Sequence, residues 1–305
     1  MIELDELGKG GAVTCDGHEL KLTNLDKVLF AGDGRHDPVT KRELIGYYAD
    51  IAPVLLPHLA GRSVNLNRFP DGIAKKGFWN KAVPKYSPDW IERWQDPSVD
   101  EPYYLVDRVA TLVWLANLAA VELHPWTSRV DDLEHPTYAL FDIDPGPATT
   151  WDEVLTLARL HRTALEHLGV VAFPKVTGQR GIQVWVPIET RYSFHETRAW
   201  VETVSKLIGA TVPELISWNW DVSARKGLAR LDFTQNALNK TLVAPYSVRP
   251  ASGAPVSAPI TWDELDDPDL RPDRWTIHTI GARVAEVGDL FADALHNAQS
   301  LPSIG

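Results

Sequence analysis

The clearest pattern in the first third of the chain is an apolar stripe at helical spacing. It runs through Leu44, Tyr47, Tyr48 and Ile51, behind a Thr40-Lys-Arg-Glu43 start with the spacing of a capping box. Ahead of it, the segment 20–30 opens the folded part, and a Gly/Asp turn region covers 32–38. Positions 62–69 alternate like a strand and stop at Pro70-Asp-Gly72. The stretch 107–123 is apolar enough to predict a buried helix, leading into Glu122-Leu-His-Pro-Trp126. In the second half, Tyr138–Asp144 reads as a short buried strand cut off by Pro145 and Gly146. Thr150-Trp-Asp-Glu153 starts a helix that should end at Gly169. Strands are expected at 170–176 and 182–188, a helix at 196–208, and a strand at 228–234 that carries Asp232.

Strand–helix–strand–strand–helix–strand is the order of a split βαβ, ferredoxin-like sheet, which places the chain in the α+β class. Side chains two apart on a strand share a face, roughly 6–7 Å apart. Asp142 and Asp144 therefore project together, with Phe141 and Ile143 on the other face. Two carboxylates this close repel, and a divalent cation between them relieves the repulsion. A metal site and an acidic turn both account for the pair. On this sheet Asp232 is the natural third ligand.

Thr177-Gly-Gln-Arg-Gly181 is a glycine-bounded turn, either a plain hairpin or a phosphate cradle built from backbone N–H groups. Phe78-Trp79 follows Lys75-Lys-Gly77, and paired aromatics in a cationic loop can stack on bases. One of the two rings is expected in the core.

The 305 residues carry 44% hydrophobic content and suit a packed globule. Cys15 is the only cysteine, which excludes an internal disulfide and a thiolate zinc cluster. The start, Met1-Ile-Glu-Leu-Asp-Glu, has no signal-peptide character, and no apolar run is long enough to span a bilayer; no membrane partner is expected. A net charge of −11 argues against indiscriminate polyanion binding, so nucleic acid would have to be held by local basic spots or by bound metal.

Leu140-Phe-Asp-Ile-Asp-Pro-Gly146, Thr177-Gly-Gln-Arg-Gly-Ile-Gln-Val184, Leu231-Asp-Phe-Thr-Gln-Asn236 and Ala244-Pro-Tyr-Ser-Val-Arg249 occur in this order. So do Leu22-Thr-Asn-Leu-Asp-Lys-Val-Leu-Phe30, Arg68-Phe-Pro-Asp-Gly72, Glu122-Leu-His-Pro-Trp126 and Thr261-Trp-Asp-Glu-Leu265. From about Leu22 to Leu290 the chain resembles the archaeo-eukaryotic primase superfamily. More narrowly, it resembles the polymerase domain of bacterial ATP-dependent DNA ligase D and its stand-alone relatives.

The resemblance implies a primase-polymerase core with an N-terminal α/β subdomain packed against it. The whole chain, 1–305, would then form one domain, with residues 1–20 as an N-terminal extension and 296–305 as a flexible tail. The soft Ser/Pro/Gly ending is expected of a stand-alone enzyme and equally of a domain boundary in a longer ligase. The implied reaction is template-directed transfer of a nucleotide to a primer 3′-hydroxyl, with Asp142, Asp144 and Asp232 holding two ions of Mn²⁺ or Mg²⁺.

Thr177, Gly178, Arg180, Gly181 and Gln183 become a triphosphate loop on this resemblance. Arg225, Gln235 and Arg249 match nucleotide contacts, and His124 lines the nucleotide pocket. Asn24, Lys27 and Lys41 match a pocket for the 5′-phosphate across a DNA gap, with Asp33 and Asp37 in a longer loop that could oppose it. Thr177 and Gln183 stand where the family usually has Ser and His, and Trp79 where it has Phe. The expected partners are gapped or broken double-stranded DNA with a 5′-phosphate, NTPs or dNTPs (ribonucleotides preferred), and DNA ligase, nuclease or Ku-type end-binding repair proteins. The expected location is cytoplasmic, at the bacterial nucleoid. A catalytically weak DNA-end-binding module and a metal-dependent nuclease are the alternatives.

Overall fold

The computed structural model describes residues 2–97 and 99–304. Met1 and Gly305, the ends of the expected extension and tail, lie outside the described residues. The chain divides into two compact units, one made of 1–126, 241–257 and 275–288, the other of 127–240, 258–274 and 289–305.

In the first unit, strands β1 (Gly10–Cys15) and β2 (His18–Thr23) pair as a hairpin from Gly10↔Thr23 to Cys15↔His18. Regular structure therefore begins well ahead of Leu20, where the hydrophobic pattern placed it. Helix α1 (Lys41–Leu59) starts at the Thr40 capping box, with both reciprocal bonds formed. Its Leu44, Ile45 and Leu55 are fully buried. Tyr48 donates from its hydroxyl to the Val121 carbonyl at 2.6 Å. Strand β3 (Ser63–Arg68) is central, and β4 (Phe78–Asn80) and β5 (Tyr103–Leu105) share one of its edges.

The expected buried helix over 107–123 is corrected. Helix α2 covers only Val109–Asn117, and β6 (Ala120–Pro125) pairs with the remaining edge of β3, Asn65 opposite His124. Ala119, at φ 57°, makes the break. An apolar run with both faces buried reads alike as helix or strand, and here the open edge of β3 decides.

The second unit contains β7 (Tyr138–Asp144), α3 (Trp151–His167), β8 (Phe173–Val176), β9 (Ile182–Pro187), α4 (Phe194–Thr211) and β10 (Arg230–Leu231). The sheet order is β8-β9-β7-β10 with every neighbour antiparallel, the split βαβ arrangement expected. Phe141 packs edge-on against His161 of α3 and Trp200 of α4, with ring centroids 5.2 and 5.8 Å away. Both helices thus cover the Phe141 face of β7.

Two strand limits differ from expectation. Positions 170–172 precede β8, and the strand expected over 228–234 shrinks to Arg230–Leu231, leaving Asp232 as the cap of a short 3-10 turn. Within the stretch expected to be a flexible tail, Gln299 and Pro302 bond to the rest of the unit. The Gln299 side chain donates to the Val171 carbonyl at 2.7 Å and accepts from Val171 N–H at 2.9 Å. Trp200 Nε1 donates to Pro302 at 2.9 Å. No helix among the described residues is long and apolar enough to cross a membrane.

Candidate active site

With the helices on the Phe141 face of β7, Asp142 and Asp144 project from the other. Pairing with β9 sets Asp142 directly opposite Gln183, which in turn lies opposite Lys175 on β8. Gln183 Nε2 donates to Asp142 Oδ1 at 3.0 Å. Lys175 is fully buried, its ammonium 5.6 Å from the Trp185 ring centroid. Burial pushes the Asp142 carboxyl up to about 6, and Asp144 and Asp232 add to that, while Gln183 and the Lys175 charge pull the other way.

Asp232 comes to this point through the backbone. Its N–H donates to the Asp142 carbonyl at 2.8 Å, just past the two-residue strand β10. Its Oδ1 accepts from Thr234 Oγ1 at 2.5 Å and Arg230 Nη2 at 3.2 Å, and its Oδ2 accepts from Gln235 Nε2 at 3.1 Å. Asp144 Oδ2 accepts from Arg225 Nη1 at 2.7 Å. Arg225 is buried and fixed by two more bonds, Nε to Asn219 O at 3.1 Å and Nη2 to Trp220 O at 3.2 Å. Each acid therefore has its own polar partner: an amide for Asp142, and a guanidinium each for Asp144 and Asp232. Among the described residues, no three acidic, histidine or cysteine groups converge tightly enough to hold an ion as they stand.

The turn after β8 is built for close approach. A Cβ at Gly181 would lie 2.4 Å from the Ile143 carbonyl oxygen, so only glycine lets the turn sit against the tip of β7. Gly178 takes φ 72°. Thr177 Oγ1 accepts from the N–H groups of Gly181 at 3.1 Å and Gln179 at 3.4 Å. These bonds close the turn. Arg180 Nη2 donates to the Gly146 carbonyl at 2.6 Å.

His124, Arg249, Phe78 and Trp79 belong to the first unit. There Glu122 is a buried hub. Its Oε1 pairs with Arg249 Nε at 2.7 Å and with His124 Nε2 at 3.6 Å, and its Oε2 accepts from Asn67 Nδ2 at 2.6 Å. Burial pushes its carboxyl up, but His124, Arg249 and Asn67 together hold it below the ordinary range. The Trp79 ring meets His124 edge-on at 4.8 Å. Phe78 and Trp79 are 47% and 53% exposed, so the expectation that one of them is core is corrected. A strand as short as β4 at the sheet edge leaves both faces open.

Asn24, Lys27 and Lys41 also gather in the first unit. Lys27 N–H donates to Asn24 O at 3.0 Å, and Lys41 N–H to Lys27 O at 2.9 Å. The Lys41 ammonium is buried and donates to Asn117 O at 2.9 Å; burial, then the nearby Lys27, pulls it down to about 8. Lys27 pairs with Asp71 at 3.1 Å. Asp33 accepts from the N–H groups of Arg35 and His36, both at 2.9 Å, and so is engaged in its own loop.

Sequence reasoning missed Lys175, Glu122 and Arg230 as parts of these sites. The Ser223–Arg230 run carried a signal, since its nearness to Asp232 favours a phosphate-facing loop over a solvated hairpin, but not that Arg230 itself is buried.

Comparison with known proteins bears on the whole chain. The family model described as "LigD, primase-polymerase domain" matches residues 40–291. The multifunctional non-homologous end joining protein LigD of Mycolicibacterium smegmatis is 34% identical over 277 residues, covering 90% of this chain and 36% of that protein. The bifunctional counterpart from Bacillus subtilis is 29% identical over 285 residues, 93% of this chain and 45% of its own. The chain thus spans less than half the length of these relatives. The solved polymerase domain of Mycobacterium tuberculosis ligase D, in complex with DNA, superposes with a TM-score of 0.83 at 31% identity, over 92% of this chain and 99% of that one. The chain belongs to the LigD primase-polymerase domain family and is a nucleotidyltransferase of the primase-polymerase type.

Proposed function

We propose that this chain adds nucleotides to a DNA primer opposite a template, filling short gaps or extending broken ends during repair. The observation that carries the reading is the Asp232 N–H to Asp142 carbonyl bond, which brings the third acid to the two at the tip of β7. The donor set suits a hard divalent cation: three carboxylates, two of which raise the pKa of the third. Asp142, Asp144 and Asp232 would hold Mn²⁺ or Mg²⁺. When bound, such ions lower the pKa of the attacking 3′-hydroxyl and offset the charge on the triphosphate.

The chain's own residues supply the rest. Arg225 and Arg230 neutralise Asp144 and Asp232 in this structure. Both are guanidiniums that a polyanionic triphosphate would draw toward itself. Arg180, at the same end of the sheet, adds a guanidinium that a triphosphate can draw on. Gln183 orients Asp142 through a neutral amide, where a histidine would add a titrating group. In the first unit, Phe78 and Trp79 offer exposed faces to bases. Asn24, Lys27 and Lys41 form a donor cluster suited to a terminal 5′-phosphate.

The named relatives act in non-homologous end joining, which supports repair of broken ends as the setting and ligase, nuclease or Ku-type proteins as partners. A ribonucleotide preference and a cytoplasmic, nucleoid location belong to the same reading.

The test is incorporation on a gapped duplex, with and without the downstream 5′-phosphate, comparing ATP with dATP under Mn²⁺ and Mg²⁺. Template-dependent extension, strongest with ATP and a phosphorylated gap, is the expected result. Degradation of end-labelled DNA without any nucleotide would point to a nuclease instead.

A further inference from the structure

We propose that Trp218, Trp220 and the cations against them form a stacking surface for an unpaired strand of nucleic acid beside the catalytic acids. The proposal rests on the polymerase reading only in taking that strand to belong to the enzyme's DNA.

Large aromatic rings are ordinarily covered, yet Trp220 is 64% exposed and Trp218 37% exposed. Neither is on a slack loop. Arg225 holds the backbone carbonyls of Asn219 and Trp220 while its third arm grips Asp144, so the loop is tied directly to a catalytic acid. Trp218 lies down on α4 at Gly209, where a Cβ would come within 2.6 Å of the ring. Glycine is disfavoured inside a helix, and here its effect is to seat the ring.

Each indole also has a cation against it. The Arg230 guanidinium lies 4.5 Å from the Trp220 centroid, and the Lys206 ammonium 4.4 Å from that of Trp218. Phe233 continues the row, 6.4 Å from Trp218, with the Arg198 guanidinium 5.6 Å from its own centroid. Each of the three rings is thus backed by a cation. Asp232 is beside them: Arg230 touches it and Phe233 follows it in the chain.

Exposed rings backed by cations suit one ligand chemistry. The rings stack on bases without reading their identity, and the exposed Lys206 and Arg198 are the cations placed to meet phosphates. In a blunt duplex the bases are already stacked on one another, so an unpaired strand is the form that can use the rings. Lys206 and Arg198 also present exposed positive charge that the net charge of −11 hides.

The experiment is fluorescence anisotropy with a labelled duplex bearing a single-stranded extension, alongside a blunt duplex of equal length, at low salt and without nucleotide. Trp220→Ala should weaken binding of the extended DNA by about tenfold, as expected for one lost base–aromatic stack, and leave the blunt duplex unchanged. Trp220→Phe should restore most of the loss. Because the ring is exposed, the alanine variant should melt within a degree or two of the unmodified protein. Equal affinity of Trp220→Ala and unmodified protein for the extended DNA, or an equal loss on both DNAs, overturns the proposal. Incorporation by the unmodified protein on gapped DNA is measured separately, so failure of the polymerase reading shows in that assay and failure of this one in the binding curves.

Discussion

Asp142 is held on every side by chemistry that could not be swapped without changing the site. Gln183 fixes one carboxylate oxygen at 3.0 Å, the buried Lys175 charge acts on it across the sheet, and its backbone carbonyl anchors Asp232. Asp142→Asn keeps the shape and the backbone bond but removes the charge. Extension of a primer on gapped DNA should fall to background, with the thermal melt preserved; persistent extension by this variant would exclude Asp142 from catalysis. The spacing of Asp142 and Asp144 made them legible in the sequence, and the order of elements added Asp232. Lys175 was not legible. A lone lysine in an apolar strand reads as a surface position, and only the pairing with β9 shows it buried opposite Gln183. Arg230 was legible only as part of a basic loop beside Asp232; its burial and its bond to that acid were not.

At the scale of elements, α3 shows how a titrating group can be built into a core. His161 is fully buried against Phe141, its Nδ1–H donating to the Leu157 carbonyl at 2.7 Å. Burial pushes its pKa down to about 4 from an ordinary 6.5, so the folded state holds the ring neutral. The unfolded chain binds a proton first as pH falls. Stability should therefore be complete above pH 6.5 and decline toward pH 4, by about 3 kcal/mol in all. His161→Leu should shrink the difference between urea melts at pH 7 and pH 4 by roughly that amount; an unchanged difference counts against a neutral buried ring.

Helices α1 and α3 were readable from sequence because a local bond pattern starts each one; the equivalent box at Ser193 was overlooked, and α4 was expected to start at 196. The switch from α2 to β6 was not, because the partner that selects a strand lies more than fifty positions away on β3. The anchored tail was equally silent: Ser, Pro and Gly suggest slack, while the fastening is done by Gln299 and by Trp200.

Over the whole molecule, charge is the governing quantity. A protein of net charge −11 that handles DNA should contact few phosphates, and its binding should weaken only shallowly with salt. On the proposed reading, Lys27 and Lys41 are the cations that meet the terminal phosphate. Lys27→Ala with Lys41→Ala should abolish any preference for a 5′-phosphorylated gap and reduce the slope of log affinity against log salt by about 2. Because Lys41 is pulled down to about 8, it is charged at pH 7 and loses its proton above pH 8. The preference should fade over that interval in the unmodified protein. A preference that is flat from pH 7 to 9, or that survives in the double variant, places the phosphate elsewhere.

The two arginines on Asp144 and Asp232 bear on how the protein can be handled. A fold whose acidic groups are already matched by its own guanidiniums has no need of an added ion to hold its shape. Chelator should therefore arrest catalysis and leave the melting curve where it was, and manganese returned after days in EDTA should restore full activity. The molecule would keep, in effect, as a dormant stock that metal and nucleotide awaken together.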